Sequence, residues 1–388
     1  MEDAYKPYRQ NLKAYICEMS FHIQDWGVIN GMTVLADGTI VACCADHCIR
    51  ILTTSGLKSV FAGKPEHAGK ENGEASCARF NNPFGIAQTY TGEFVVTDSD
   101  NHRVCLVSTS GKVSEISGSG TAGYADGTGQ DAQFNNPTYV AVADNNSFYV
   151  VDERNQRIRS ITLDGKTTTA LKMDFLGSIA TLSDGSLVIA DTDRLLRLIR
   201  GRIENITGHN HSSKYNYFRY VDGAELVAVG GNDDIVFFEA DVYNSLRIVR
   251  GKNIQYILHI DDNVTATAMV ITPEGKILLT GYSTDSGNNR NRLFLVDAGL
   301  KPRAPMASEK YERGTAMALA HVTRLGRKSH LSMMPGEILS RILELSMAKH
   351  SIHEFSISEN HDDDAPWEHY TDKHSDTDDS DWQELDDS

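Results

Sequence analysis

Short runs of alternating apolar and polar residues, each about 4–8 residues long and separated by glycine-containing turns, fill most of the chain. Two consecutive stretches, residues 84–120 and 138–173, repeat one order of features. Each has two apolar runs, the second ending in Asp, then a polar corner, a third run, a glycine turn and a fourth run. This pattern predicts two units of four short β-strands.

Fainter copies of this unit flank the two clear ones and cover residues 33–63, 178–208, 218–258 and 266–300. Four-stranded units that recur every 40–55 residues or so are typical of β-propeller blades, whose small sheets pack both apolar faces on their neighbours. The sequence therefore predicts an all-β, six-bladed β-propeller over residues 12–300.

The sixth unit has no obvious fourth strand, whereas residues 12–20 form a strand-like run that belongs to no unit. We expect this N-terminal strand to complete the sixth blade and to close the ring. Closure removes the open sheet edge that would otherwise promote aggregation.

Two glycine-rich segments, residues 63–83 and 118–137, both end in Phe-Asn-Asn-Pro just before a predicted inner strand. A phosphate-binding loop is normally followed by a helix N-terminus or a positioned lysine, but here a strand follows. We therefore expect these segments to link blades, with Phe80 and Phe134 as wedges between neighbouring sheets.

The polar corners of the two clear units repeat Asp, Asn and Arg at equal spacing. The repeated residues are Asp98, Asn101 and Arg103 in one unit, and Asp152, Asn155 and Arg157 in the next. Such corners usually lock a turn through hydrogen bonds between side chains and backbone. Four residues of these corners, if exposed, are candidates for a partner-binding rim: His102, Arg103, Arg154 and Arg157.

The glycine-rich loop, the Phe-Asn-Asn-Pro motif and the following strand–Asp–x–x–Asn–His/Gln–Arg segment resemble the NHL repeat. This resemblance implies a six-bladed propeller, a fold that serves NHL families mostly as an interaction platform and in some members as an enzyme. We accordingly expect a non-enzymatic protein-interaction scaffold that uses a face of the propeller and needs no cofactor.

A metal-dependent hydrolase or lyase, similar to lactonase propellers, is the alternative. That resemblance implies Ca²⁺ or another divalent cation in the central tunnel, held by oxygen ligands from several blades. The candidate ligands are Asn82, Asn136, Asp184 and Asp222, although no spacing fixes them in one coordination shell.

The segment Cys-Cys-Ala-Asp-His-Cys, residues 43–48, raises the question of a zinc site. Adjacent cysteines on a strand point to opposite faces, so Cys43 and Cys44 cannot easily bind one ion. We interpret the segment as a blade corner with buried free thiols, in which Cys43 takes the place of Asp98.

The net charge of −16 is concentrated at one end of the chain, because residues 351–388 contain fourteen Asp and Glu against one Lys. The remaining residues are close to neutral, which does not favour nucleic-acid binding. The acidic segment predicts a disordered tail that either solvates the protein or binds a basic partner.

Targeting features are few in this sequence. The six cysteines all lie in the first 105 residues without the spacing of a disulfide framework. We see no secretory signal and no apolar run of membrane-spanning length. These observations favour a cytoplasmic or nuclear location and no membrane partner.

Residues 301–350 differ in composition from the repeats and are predicted to be a linker followed by an amphipathic helix. The apolar stripe of this helix includes Ile338, Leu339, Ile342 and Leu343. Residues 334–348 resemble the opening helix of an F-box, which implies recruitment of a Skp-type adaptor of a ubiquitin ligase. A helix that docks on the propeller or binds another partner is the alternative.

Overall fold

The described residues form six small β-sheets in a computed structural model of the chain, four of them with four strands and two with five. The structure describes residues 15–18, 26–143, 147–173, 177–191, 194–207, 224–240, 244–251, 253–260, 264–283, 290–302 and 353–354. These residues contain no α-helix, and none of their helical turns is long and apolar enough to cross a membrane. The predicted all-β, six-bladed propeller is confirmed.

The strands follow one another blade by blade. A first strand, β1 (Tyr15–Glu18), precedes the repeats. Blade 1 consists of β2 (Ile29–Val34), β3 (Ile40–Cys44), β4 (Cys48–Leu52) and β5 (Lys58–Gly63). Blade 2 consists of β6 (Pro83–Gln88), β7 (Phe94–Asp98), β8 (Arg103–Val107) and β9 (Val113–Ser117). Blade 3 has a short edge strand, β10 (Gly127–Thr128), and then β11 (Pro137–Val142), β12 (Ser147–Asp152), β13 (Arg157–Thr162) and β14 (Lys166–Lys172).

The second half of the ring has the same plan. Blade 4 consists of β15 (Ile179–Thr181), β16 (Leu187–Asp191), β17 (Arg194–Ile199) and β18 (Arg202–Thr207). Blade 5 consists of β19 (Ala224–Val229), β20 (Ile235–Glu239), β21 (Ser245–Arg250) and β22 (Asn253–His259). Blade 6 contains β23 (Val264–Ile271), β24 (Ile277–Ser283) and β25 (Arg290–Asp297), together with β1 and the two-residue strand β26 (His353–Glu354).

The strand register defines the two faces of the propeller. The inner strand of blade 2 begins at Pro83, which pairs with Asp98 at the end of the second strand. The blade-linking loops and the corners between the second and third strands therefore lie on one face, which we call the loop face. The opposite face carries the turns between the first and second strands and between the third and fourth, and we call it the turn face.

The N-terminal strand closes the ring, as predicted. Strand β1 pairs antiparallel with β25, with Tyr15 opposite Asp297 and Glu18 opposite Phe294. On its other side Tyr15 lies opposite Glu354 of β26, within the segment predicted to be disordered. The free backbone groups at the edge of β1 explain this short pairing. The predicted helix at 334–348 and the rest of the tail lie outside the described residues.

Six hydrophobic clusters hold the ring together, one at each junction between neighbouring blades. At the junction of blades 1 and 2, for example, the rings of Phe61 and Phe94 meet edge to face with centroids 5.7 Å apart. At the junction of blades 6 and 1, the cluster joins Trp26 and Ile29 to Leu278 and Leu293. The ring is thus closed by side-chain packing as well as by β1.

The two glycine-rich loops are architectural, as predicted. Phe80 and Phe134 are fully buried in the clusters between blades 1 and 2 and between blades 2 and 3. Each loop also covers the outer edge of the blade that follows it. Gly73 exchanges two backbone hydrogen bonds with Val113, of 2.9 and 2.8 Å, and β10 pairs with β14. The loops therefore protect sheet edges in addition to linking blades.

Candidate interaction surface

The corner of blade 2 is a closed network around a buried carboxylate. Asp98 Oδ1 accepts a hydrogen bond of 2.7 Å from the backbone N–H of Asn81. Its Oδ2 accepts bonds of 2.8 Å from Asn101 Nδ2 and from Arg103 Nε. Asn101 also donates to the carbonyl of Gly69 in the preceding loop. Because both loop and corner depend on Asp98, the network fixes the loop to the blade.

Blade 3 repeats this network with a different arginine. Asp152 again accepts from the loop backbone and from Asn155, at 2.8 and 2.9 Å. The guanidinium that bonds Asp152 belongs to Arg159, at 2.9 Å, and not to Arg157, the residue that aligns with Arg103 in the repeat. Arg159 and Asp152 are both fully buried. The difference between the blades follows from the geometry of a strand, where residues two apart share a face and either can turn inward.

Burial dominates the electrostatics of both corners. It raises the pKa of Asp98 above its ordinary value, while Arg103 and Asn101 lower it in part. Burial likewise raises the pKa of Asp152, against the hydrogen bonds from Asn135, Asn155 and Arg159. Desolvation disfavours the charged form of a carboxylate that has no partner, so each buried aspartate depends on its arginine to stay ionised.

Three other blades place a carboxylate and an arginine at the same corner with different spacing. The pairs are Asp46 with Arg50 in blade 1, Asp191 with Arg194 at 2.8 Å in blade 4, and Glu239 with Arg247 at 2.7 Å in blade 5. The arginine comes from the first or the third residue of the third strand. The ion pair is thus repeated in space while its positions in the sequence vary.

Histidines on the loop face link one blade to the next. His47 Nδ1 accepts a hydrogen bond of 3.0 Å from the backbone N–H of Asn82, and His102 Nδ1 accepts one of 3.1 Å from that of Asn136. A backbone N–H can only donate, so the proton of each neutral ring lies on Nε2. His102 is therefore part of the blade-linking network, although it is half-buried rather than enclosed.

The candidates for a partner-binding rim occupy different environments. Arg103 is 1% exposed, which corrects its assignment to an exposed rim, because its guanidinium is needed by Asp98. Arg154 is exposed, and Arg157 is half-buried with its guanidinium 4.0 Å from the centre of the Tyr124 ring.

Tyr124 is 47% exposed and was not identified by the sequence analysis. Its only sequence signal is its position in the second glycine-rich loop. The candidates at Ile338, Leu339, Ile342 and Leu343 lie outside the described residues.

The central tunnel contains a cavity of about 240 Å³ surrounded by the inner strands of all six blades. Its side-chain lining is apolar except for Thr33, Gln88 and Thr181. Thr181 Oγ1 donates to the carbonyl of Val142, and Gln88 Nε2 donates to that of Gly92. The described lining includes no charged side chain, so the cavity wall offers a cation no carboxylate.

Two aromatic residues stand at the loop-face end of the inner strands. The rings of Phe84 and Tyr139 meet edge to face with centroids 5.2 Å apart. Tyr139 also packs against the clusters between blades 3 and 4 and between blades 5 and 6, so its side chain reaches across the tunnel. Burial raises the pKa of its hydroxyl well above the ordinary value, and the negative charges of Glu225 and Glu153 add to this rise.

The candidate metal ligands are not brought together. Asn82 and Asn136 precede inner strands on the loop face, and their side chains bond Asn30 and Asp100. Asp184 lies on the turn face, where it pairs with Arg197. A six-residue strand separates the two faces by about 20 Å. Asp222 lies outside the described residues, and among those described no group of three or more His, Cys, Asp or Glu could hold a metal. The residues present therefore do not fit the divalent cation of a lactonase-like site.

The cysteines of the Cys-Cys-Ala-Asp-His-Cys segment are buried free thiols. Cys43 lies in the cluster between blades 1 and 2 and Cys44 in the cluster between blades 6 and 1, as expected for adjacent residues of a strand. The register corrects one detail: Cys44, opposite Ile29, takes the place of Asp98, opposite Pro83. Burial raises the pKa of Cys48 to about 12, so this thiol is unreactive at neutral pH.

Known proteins match only parts of the chain at the level of sequence, and no family model matches it. It is 28% identical over 134 residues to Protein SUPPRESSOR OF QUENCHING 1, chloroplastic, of Arabidopsis thaliana, which is 32% of this chain and 13% of that protein. It is 32% identical over 81 residues to human NHL repeat-containing protein 2, which is 21% of this chain and 11% of that protein. The matched part is thus a small fraction of each relative.

Solved structures match the fold more broadly. A putative gluconolactonase has a TM-score of 0.53 at 12% identity, covering 78% of this chain and 99% of that one. A gluconolactonase from Xanthomonas campestris has a TM-score of 0.51 at 12% identity, covering 71% and 87%. At this identity the likeness concerns the fold alone. Together with the six sheets, this likeness shows that the chain is a six-bladed β-propeller, and the partial sequence matches make it similar to NHL repeat-containing protein 2.

Proposed function

We propose that the chain is a non-enzymatic scaffold that binds a protein partner through the loop face. The observation that carries this proposal is the exposed stack of Tyr124 and Arg157. The repeated polar residues of the loop face are used in links between blades and loops, whereas this stack lies at the surface and belongs to no hydrophobic cluster of the described chain. Tyrosine and arginine are among the residue types most enriched where proteins bind one another.

The enzymatic alternative has less support. The tunnel wall in the described chain is free of charged side chains, and Asn82 and Asp184 lie on opposite faces. Likeness to gluconolactonases concerns the fold, which hosts many unrelated functions. The NHL-type relatives fit a scaffold, and a propeller face is well suited to this role because its loops vary while its sheets stay rigid.

Site-specific photo-crosslinking in cells tests the scaffold. We expect a photoreactive amino acid at His67 or Thr121, exposed residues of the two loops, to form protein adducts. Matched probes at Ser110 and Leu163, exposed residues of the turn face, should form none. Adducts of equal yield from both faces, or from neither, would contradict the proposal.

A finer part of the proposal concerns ubiquitination. Residues 334–348 recruit a Skp-type adaptor, so that the partner held by the propeller becomes a ubiquitination substrate. The support is the F-box-like sequence alone. In the same cells, Ile338→Asp with Ile342→Asp places two charges on the apolar stripe and should abolish adaptor recovery while the loop-face adducts persist. Binding of a basic partner by the acidic tail and a cytoplasmic or nuclear location stay predictions.

A further inference from the structure

The outer part of blade 3 carries a rigid aromatic residue at the surface. Tyr124 shares a hydrogen bond of 3.0 Å between its hydroxyl and Thr169 Oγ1 of β14. The guanidinium of Arg157 lies 4.0 Å from the centre of its ring, and that of Arg159 lies 5.1 Å away. The electron-rich ring is thus already engaged by two cations, yet the side chain remains 47% exposed.

Besides Arg159, three cationic side chains belong to this part of blade 3, one of which is the Arg157 that stacks on Tyr124. Arg157 lies directly opposite Lys172 on β14, and the exposed Arg154 belongs to the adjoining corner. The nearby carboxylates of Asp126 and Asp152 are paired with Arg159, so they do not neutralise these groups. Within the described chain the three cations form no ion pair, and Glu153 beside Arg154 is the one carboxylate of the corner left to offset them. We call Tyr124, Arg154, Arg157 and Lys172 the blade 3 patch.

Comparison with blade 2 shows that the patch is not a requirement of the fold. Counting back from the shared Phe-Asn-Asn-Pro motif, Lys70 stands in the first loop where Tyr124 stands in the second. In blade 2 the first residue of the third strand, Arg103, turns inward to Asp98. In blade 3 that inward role belongs to Arg159, which leaves Arg157 at the surface. Arg157 and Tyr124 therefore take no part in the buried network around Asp152, although Arg157 also donates to the carbonyl of Asn155.

We propose that the blade 3 patch binds an acidic segment of a partner protein, with carboxylates held by Arg157, Arg154 and Lys172 beside the rigid Tyr124. Guanidinium groups bind carboxylates through paired, charge-assisted hydrogen bonds. A nucleic acid fits less well, because the face of the Tyr124 ring on which a base would stack is already covered by Arg157. The inference rests on the proposed scaffold function and specifies the chemistry of its partner.

Fluorescence anisotropy with labelled octaglutamate tests this inference on the full chain. The patch variant carries Arg154→Gln, Arg157→Gln and Lys172→Gln. The control variant carries Lys166→Gln, Arg200→Gln and Arg202→Gln, which remove the same charge from exposed positions elsewhere, one of them at the far end of the same strand. We expect binding to weaken about tenfold or more in the patch variant, because the charge-assisted hydrogen bonds to the carboxylates are lost. The control should bind within about twofold of the natural protein.

Three results would overturn the inference: no binding of octaglutamate, an equal loss in both variants, or tighter binding of a labelled oligothymidylate. Equal thermal midpoints for the two variants establish that a loss of binding is not a loss of folding. If octaglutamate does not bind while probes at His67 and Thr121 still capture a protein, the scaffold stands and only the acidic partner is rejected. If those probes capture nothing, the scaffold itself is rejected.

Discussion

Replacement of Arg159 by alanine should lower the free energy of unfolding by about 3–5 kcal/mol, because it leaves a buried carboxylate without its counter-charge. Arg159 is fully buried and donates to Asp152 at 2.9 Å, to Asp126 at 2.7 Å and to the carbonyl of Ala125 at 2.8 Å. All of these bonds are lost in the variant, and Asp152 stays buried. Urea unfolding monitored by circular dichroism measures the change.

The matched control is Arg157→Ala, two residues earlier on the same strand. Arg157 stacks on the exposed Tyr124 and makes no ion pair in the described chain, so its removal should cost less than about 1 kcal/mol. Equal losses in the two variants, or a larger loss from Arg157→Ala, would show that the corner of blade 3 is assigned to the wrong arginine.

Removal of the aromatic wedge between blades 2 and 3 should be comparably destabilising. Phe134 is fully buried among Val95, Val104, Val140 and Phe148. Phe134→Ala opens a cavity at a junction formed by two rigid sheets, and such changes cost about 3–5 kcal/mol. The same urea titration measures this loss in the free energy of unfolding.

Tyr124→Ala is the control for the wedge, since it removes an aromatic ring from the same loop at a surface position. Its expected cost is within about 1 kcal/mol, because the ring is half exposed and lies outside the hydrophobic cluster. A small effect of Phe134→Ala would instead mean that the loop does not join the two blades.

Much of the fold was accessible from the sequence because the repeat shows the same physical unit several times. The Asp98 corner and the Phe134 wedge were recognisable because each recurs at constant distance from a strand. Closure by β1 followed from the strand missing in the sixth unit. Each of these features depends on local pattern and on the need to bury two faces of every sheet.

The surface of blade 3 was less predictable. Arg157 and Arg159 lie on the same face of β13, and spacing alone cannot show which one turns inward. The choice depends on the loop, which presents Asn72 to Arg103 in blade 2 and Asp126 to Arg159 in blade 3. A bulge between Ile158 and Arg159 shifts the register with β14. Such contacts join residues about 30 positions apart and leave no local signal.

The metal candidates show a related limit of sequence reasoning. Asn136 and Asp184 were grouped because both adjoin predicted inner strands. A strand has two ends, however, and the structure places these residues on different faces. An inner strand also directs its side chains toward its two neighbouring sheets, as Ile86 and Ala87 do. The tunnel wall therefore consists largely of the backbone edges of the inner strands.

Ring closure by the N-terminal strand is the claim on which every other assignment depends, and a disulfide tests it most directly. Cys17 lies opposite Leu295 in the pairing of β1 with β25. Opposed residues of antiparallel strands have Cα atoms about 4.5–5.5 Å apart, which a disulfide can span. Under mild oxidation, Leu295→Cys should therefore form a bond with Cys17 that peptide mass spectrometry detects. Val296→Cys, whose register partner is Ile16, should form far less. Absence of the 17–295 bond, or equal yield from both positions, would contradict the closed six-bladed ring.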